Sequence, residues 1–402
     1  MPVLDAPTRH TLAALADPEA AGALARAERA LARLDAVAAK AAASPLAPWL
    51  WTAWGNRVLA QEGVAAAELE GYVTARVRVR ALEAGDPLAP PGPGDRHALR
   101  TLAAARRLLG PRAPRTPTAG RVLALARRDD DLSAGLAPEP APPPLTADTL
   151  EPWLSRMRAH SRELPATLAA AAAAEAWHGP HGPPAPPRGG VLQRLLTARA
   201  CMPQGRPAPP LTPGFPDDTP WFGPSGERAR WLTRFLAGIA AAAETHVRAL
   251  HDVLRQRERV RAACADMRAN ALLPEAGTAL LAHEALSPGG LQRALRQTRG
   301  AVSARAVART VNTLLESGLA WEATGRRRRR VLVAFATPAA DLGRPVHTPA
   351  SEQPGAGTDA APSPIQTPRA KLDTGALDAE LTAIYENLER ASARVETRLR
   401  EG

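Results

Sequence analysis

Five consecutive arginines stand between two short apolar runs in ESGLAWEATGRRRRRVLVAF, residues 316–335. They are Arg326, Arg327, Arg328, Arg329 and Arg330. Guanidinium groups stay charged at neutral pH and donate paired hydrogen bonds, which suits them to phosphate oxygens and to the edges of guanine bases. The alternative is a solvated turn in a chain that is basic throughout. The distribution of charge along the sequence distinguishes the two.

The charge excess of the chain is local. Its 402 residues include 51 basic and 40 acidic side chains, for a net charge of +11 and a pI near 11.0. Between residues 289 and 337, ten arginines stand against only Glu316 and Glu322, so this segment alone contributes +8. Such a concentration favours an anionic partner, with nucleic acid as the first candidate.

Helix caps and hydrophobic spacing predict the elements around the arginines. An apolar helix covers 278–285, and a second helix begins after Ser287 with Pro288 in its first turn. After a short turn, Ser303 is the expected N-cap of a helix that runs to about Glu316. Two strands follow, joined by the arginine-rich turn.

This order predicts a winged helix-turn-helix in residues 274–337, with a two-stranded wing. Its second helix would enter the major groove of DNA, and the wing would carry charge to flanking phosphates and release counterions. The residues predicted to contact DNA are Ser303, Arg305, Arg309 and Asn312 on the helix and Arg326 to Arg330 on the wing. A protein-binding winged helix with a solvated basic turn is the alternative.

The rest of the sequence predicts a mostly α protein. Alanine and leucine are abundant and aromatic residues make up only 3%, which favours helices. Two cysteines are too few for a disulfide framework or a zinc site. We expect no metal and no cofactor. The other predicted parts are a helical part at 1–135, a Pro-rich linker at 136–146, a second helical part at 147–270, a disordered linker at 338–370 and an amphipathic helix at 371–402.

The last predicted helix has a heptad pattern, which is typical of a coiled coil. The apolar seam consists of Leu377, Leu381, Ile384, Leu388, Ala391 and Val395, with Arg398 at its polar end. A helix this short is marginal alone, so we expect it to form a homodimer, to bind another partner or to dock onto the body.

The sequence has neither a signal peptide nor a transmembrane-length apolar run, and we expect a cytoplasmic protein with no membrane partner.

Three segments carry a resemblance to a known family. They are VAAAELEGYV at 64–73, GPPAPPRGGVLQRLL at 182–196 and VSARAVARTVNTLLESGLAWEATGRRRRRVLVAF in the basic module. In that order they resemble the inhibitory helix, the nucleotide-binding loop and the winged-helix end of bacterial Fic-like proteins. The resemblance covers roughly residues 20–337. It implies a Fic-like helical bundle in front of the winged helix-turn-helix.

The resemblance also implies that the family's chemistry has been lost. In active Fic enzymes a histidine base deprotonates the acceptor hydroxyl, and glycine amides and arginine hold the nucleotide phosphates. Aligned through Arg194, the histidine position is Pro183 and the first arginine position is Val191, and neither side chain can perform that role. His178 and His181 lie nearby but out of register. We therefore expect no catalytic residues.

The family's inhibitory glutamate corresponds to Glu70, which the resemblance pairs with Arg194 as a structural ion pair. The alternative is that both are ordinary surface charges.

The predicted function is that of a DNA-binding protein, either a transcriptional regulator or a plasmid or mobile-element factor. The competing predictions are a divergent Fic-type nucleotidyl- or phosphotransferase that acts on a protein, and an adaptor that acts through the C-terminal helix.

Overall fold

The computed structural model describes residues 6–43, 47–84, 91–109, 118–120, 122–124, 146–177, 190–200, 210–215, 217, 219–222, 224, 226–265, 272–322 and 330–334. Several predicted features lie outside the described residues. They are most of the Pro-rich linker, the loop at 178–189 with Pro183, His178 and His181, the arginines 326–329, the linker at 338–370 and the heptad helix.

Most of the described residues are helical, which confirms the mostly α class. None of the described helices combines the length and the hydrophobicity needed to cross a bilayer. The helices of the body, before residue 270, are α1 (Ala6–Ala14), α2 (Pro18–Ala42), α3 (Ala47–Leu69), α4 (Arg76–Glu83), α5 (Pro93–Leu109), α6 (Ala147–Glu163), α7 (Ala166–Trp177), α8 (Gly190–Ala200) and α9 (Arg228–Ala263).

Helix α9 organises the core of the body. Trp231, Phe235 and Ile239 recur every four residues, and Val247 and Leu250 continue the same apolar face. All five side chains are buried, because α9 packs along α2 and also contacts α3. The body is therefore a helical bundle around one long helix.

The C-terminal module combines three helices with a small sheet. Its elements are α10 (Leu273–His283), β1 (Ala285–Leu286), α11 (Pro288–Arg299), α12 (Ala304–Glu316), β2 (Ala320–Glu322) and β3 (Leu332–Ala334). The strands form an antiparallel sheet in the order β1-β3-β2. The sequence predicted only two of these strands.

The prediction of a helix through Ala285 was wrong at its end. Helix α10 stops at His283 because Glu284 adopts a positive φ of 60°, which turns the chain out of the helix. Ala285 then pairs with Val333 of β3. The predicted helix end is thus the edge strand β1.

The module has its own apolar core and its own helix caps. Leu291, Leu295 and Leu314 are buried between the three helices and the sheet. The Ser287 hydroxyl accepts a hydrogen bond from the Gly290 N–H (3.1 Å), and the Ser303 hydroxyl accepts one from the N–H of Ala306 (3.2 Å). Both predicted N-caps are confirmed, and they fix where α11 and α12 begin.

Helix α3 of the body holds α10 by hydrogen bonds to its backbone. The indole N–H of Trp49 donates to the Thr278 carbonyl oxygen, and the Asn56 amide donates to the Ala282 carbonyl oxygen, both at 2.9 Å. Ala282 belongs to the last turn of α10, whose carbonyl oxygens have no donor within the helix, whereas Thr278 lies one turn earlier. The module is therefore fixed against the body.

Helix α4 covers part of the sheet. Its Val77 and Ala81 pack with Ala285, Val331 and Val333 in a buried apolar cluster. Among the described elements, α12 packs on α10, α11 and β2 of its own module, on the other side of the module's core from α4.

Candidate nucleic-acid interface

One face of α12 is exposed because the other face supplies the module's core. Val307, Val311 and Leu314 are buried at helical spacing, so side chains on the opposite face point outward. Arg305 and Arg309 lie on that exposed face, one turn apart. Their guanidinium groups form a short basic stripe that solvent can reach.

The two arginines of this stripe carry uncompensated charge. Neither Arg305 nor Arg309 makes an ion pair with a carboxylate in the described parts of the chain. Glu275 of α10 pairs instead with Arg299, and Glu284 is buried against the body. Of the module's four acidic side chains, Glu316 shares the exposed side of α12, and none of the four pairs with the stripe in the described segments.

Asn312 and Arg330 connect α12 to the end of β3. The Arg330 guanidinium donates to the Asn312 side-chain oxygen at 3.4 Å, and its Nε lies 3.4 Å from the Glu322 carboxylate. Asn312 is exposed on α12. Arg330 therefore has a structural contact as well as a position beside the basic stripe.

The strand register fixes where the arginine-rich turn leaves the sheet. Glu322, the last residue of β2, pairs with Leu332, the first residue of β3. The segment between them begins and ends at this point, beside Asn312. Arg326, Arg327, Arg328 and Arg329 belong to that segment and lie outside the described residues.

Ser303, also predicted to contact DNA, has a capping role. Its hydroxyl oxygen accepts the Ala306 N–H at the start of α12, and the residue is exposed. Capping occupies the oxygen as an acceptor but leaves the hydroxyl proton free to donate. The start of α12 also provides the positive end of the helix dipole.

The structure brings Glu70 and Arg194 together, as the resemblance implies. Arg194 of α8 donates from Nη2 to the Glu70 carboxylate at the end of α3, at 2.9 Å. The Arg194 side chain is only 3% exposed and that of Glu70 is 25% exposed. The pair joins the first and second helical parts of the body, and Arg194 is more deeply buried than a surface charge.

A second carboxylate, Glu62, is buried near Arg194. Glu62 lies two turns before Glu70 on α3, and it accepts hydrogen bonds from the N–H and the hydroxyl of Thr212. Burial raises its pKa to about 7, although Thr212 and Arg194 act in the opposite direction. This buried acid is not in contact with the basic stripe.

Sequence reasoning missed a network of buried charges between the body and the module. The Glu284 carboxylate lies 3.0 Å from Arg57 of α3 and 3.4 Å from Arg76 of α4. Burial alone would raise the pKa of Glu284, but Arg76, Arg57 and Arg80 together hold it below its ordinary value. Arg57 also donates to the Gln256 side chain of α9 at 2.7 Å.

The sequence contained a partial signal for this network. Arg76 and Arg80 are four residues apart, and in a helix that spacing places them on one face. Two arginines beside Val77 on a buried face require an acidic partner. That the partner is Glu284, more than 200 residues away, could not be read from spacing.

The nucleotide-binding loop of the Fic resemblance lies largely outside the described residues. Helix α8 includes Val191, but its side chain is not described. In the described part of the chain, no group of three histidine, cysteine or acidic side chains has an arrangement that suits a metal ion. Cys264 is buried and is not in a disulfide.

No protein-family model matches the chain, and no curated protein is significantly similar to it.

Proposed function

We propose that the chain is a DNA-binding protein whose C-terminal module is a winged helix-turn-helix. The supporting observation is the basic stripe, Arg305 and Arg309, on the uncovered face of α12. Helices α10, α11 and α12 with the β1-β3-β2 sheet have the element order of that motif. In it, the helix in the position of α12 enters the major groove.

The remaining predicted contacts lie at the edge of the same surface. Asn312 offers an amide that suits adenine, and Arg305 and Arg309 suit guanine or phosphate. Arg326 to Arg330 would extend from the β2–β3 connection to flanking phosphates, as the wing does in this motif. The body would then act as a scaffold, and the protein as a transcriptional regulator or a plasmid or mobile-element factor.

The Glu70–Arg194 pair supports a Fic-like body without supporting its chemistry. The guanidinium that would hold a nucleotide phosphate is occupied by a carboxylate and is almost fully buried. The position of the catalytic base is Pro183, which cannot accept a proton. We therefore prefer a scaffold role for the body over nucleotidyl or phosphoryl transfer.

Capture of genomic fragments tests the proposal without knowledge of the site. Purified protein is incubated with sheared genomic DNA at low salt, and retained fragments are sequenced. We expect a small set of enriched fragments that share a sequence, and loss of the enrichment with Arg305→Ala/Arg309→Ala. Retention of no DNA, or retention of the same fragments by this variant, would overturn the proposal.

A further inference from the structure

A cleft separates part of the body from the C-terminal module. Its volume is about 400 Å³, within the range of about 300–1,000 Å³ that is usual for small-molecule sites. Asn56, Arg80 and Arg106 line it from the body, and His283 and Arg293 line it from the module. The cleft lies on the flank of α11 and does not include the basic stripe of α12.

The cleft contains more positive than negative charge. Its lining has three arginines and one carboxylate, that of Glu83. Arg80 and Arg106 both pair with Glu83, and Glu284, which is outside the lining, also attracts Arg80. Arg293 is exposed and makes no ion pair within the described segments. The lining therefore has a formal charge of +2 when His283 is neutral.

The arginines are held in place by the fold. Arg80 is buried and donates two hydrogen bonds to the His283 carbonyl oxygen, at 2.7 and 3.1 Å. Arg106 donates to the Asn56 side-chain oxygen at 3.2 Å. Burial, together with the positive charges of Arg80 and Arg106, keeps the pKa of His283 below its ordinary value. The imidazole is thus neutral while the potential around it is positive.

The first turn of α11 adds to this potential. Gly290 of that turn lines the cleft, and the N-terminus of a helix carries a partial positive charge. The Arg293 guanidinium lies over the same turn, with its nitrogens 3.9–4.0 Å from where a Cβ would stand on Gly289 or Gly290. A cation at this end of a helix is unfavourable unless an anion accompanies it. An anion between Arg293 and the first turn of α11 would offset this repulsion.

We propose that this cleft binds a small organic anion, one with a carboxylate or phosphate group and an apolar portion. The negative group would lie between Arg293 and Arg106, near the start of α11. The apolar portion would pack on the apolar residues of the lining, which are Ala84, Ala285, Leu286 and Ala294, with Gln297 beside them. This inference does not depend on DNA binding, because it concerns a different surface of the module.

Titration of the full chain with three matched probes tests the site. Phenyl phosphate and benzoate carry the two kinds of anion on the same apolar ring, and benzyl alcohol is the neutral control. We expect one or both anions to bind in isothermal titration and benzyl alcohol not to bind. Binding by phenyl phosphate alone or benzoate alone would identify which anionic group the cleft prefers.

Two arginines of one helix provide the matched variants. Arg293→Glu places a negative charge in the cleft, and we expect it to weaken anion binding by at least about tenfold. Arg296→Glu makes the same charge change on α11 outside the cleft lining, and we expect an effect within about twofold. Failure of both anions to bind the wild-type protein, or equal losses in the two variants, would overturn the proposal.

Discussion

The guanidinium of Arg57 lies 3.0 Å from the Glu284 carboxylate, and both side chains are at least 95% buried. Glu284 lies between the end of α10 and the start of β1, so this contact ties the body to the point where the module's sheet starts. The pair thus links the position of the module to the packing of α3.

Substitution of Glu284 should destabilise the whole protein. Glu284→Gln leaves Arg57 and Arg76 buried without their carboxylate, at an expected cost of about 3–5 kcal/mol in the free energy of unfolding. Urea denaturation measures this. Glu258→Gln is the control, since it removes the pairs of an exposed carboxylate with Arg257 and Arg261 and should cost less than about 1 kcal/mol. Equal effects of the two variants would contradict the network.

The Glu70–Arg194 pair should show an asymmetric response. Glu70→Ala should destabilise the body by about 3 kcal/mol or more, because it leaves the Arg194 guanidinium, only 3% exposed, without this carboxylate. The charge left behind by Arg194→Ala should cost less, because Glu70 is the more exposed partner and water can hydrate its carboxylate. Thermal and urea denaturation check both values. A wild-type melting temperature in both variants would show that the pair is not structural.

Glu62 should make stability depend on pH. Burial raises its pKa from 4.5 to about 7, so the unfolded chain releases this proton before the folded chain does. The stabilising contribution of the protonated acid is complete below about pH 4.5 and is lost as the pH rises to about 7, by about 3 kcal/mol in total.

Glu62→Gln should not show that decrease. The stability of the variant relative to wild type should therefore increase between about pH 5 and pH 8. His246, whose pKa burial lowers to about 4, titrates with the opposite sign in an overlapping range, but it is present in both proteins and cancels in the difference. A stability difference that does not change with pH would exclude Glu62 as the titrating group.

Neutralising the arginine-rich turn should weaken DNA binding on every sequence. Replacing Arg326, Arg327 and Arg328 by Gln removes positive charges that would neutralise phosphates. The slope of log affinity against log salt should therefore flatten by about 1 for each phosphate that is no longer neutralised. Arg330 is left intact because it pairs with Glu322. Gln at Arg255, Arg259 and Arg261 of α9 makes the same change in net charge elsewhere and should leave the slope unchanged.

The heptad helix should determine the oligomeric state. Leu381→Glu/Leu388→Glu places charges in the predicted seam, and we expect the dimer to dissociate in sedimentation equilibrium. Ala379→Glu/Ala393→Glu adds the same charges on the opposite side of the helix and should leave the dimer intact. A wild-type protein that is monomeric at all concentrations would rule out the homodimer.

Local signals predicted the module well and long-range pairings poorly. The caps Ser287 and Ser303 and the buried stripe of α12 depend on residues within one or two turns, so spacing revealed them. Strand β1 has only two residues, and its partner Val333 is 48 positions from Ala285. A strand this short has no periodicity, and α10 therefore appeared to continue through it.

The residues of the candidate sites also differ in whether the sequence alone could predict them. Arg305, Arg309 and Asn312 were predictable because their exposure follows from the helical period. The cleft at Arg293 and Arg106 was not predictable, because its body wall comes from α3, α4 and α5 and its module wall mainly from α11. These walls meet only through the packing of the body against the module. The Glu70–Arg194 contact could be anticipated only from the family resemblance.

The salt dependence of DNA affinity in α12 variants tests the central claim most directly. Fluorescence anisotropy on a fragment captured by the wild-type protein compares three proteins: wild type, Arg305→Ala/Arg309→Ala, and Arg255→Ala/Arg261→Ala. We predict that only the α12 variant loses affinity, with a salt slope smaller by about 2. Equal affinities and slopes for all three proteins would contradict the assignment of α12 as the DNA-contacting helix.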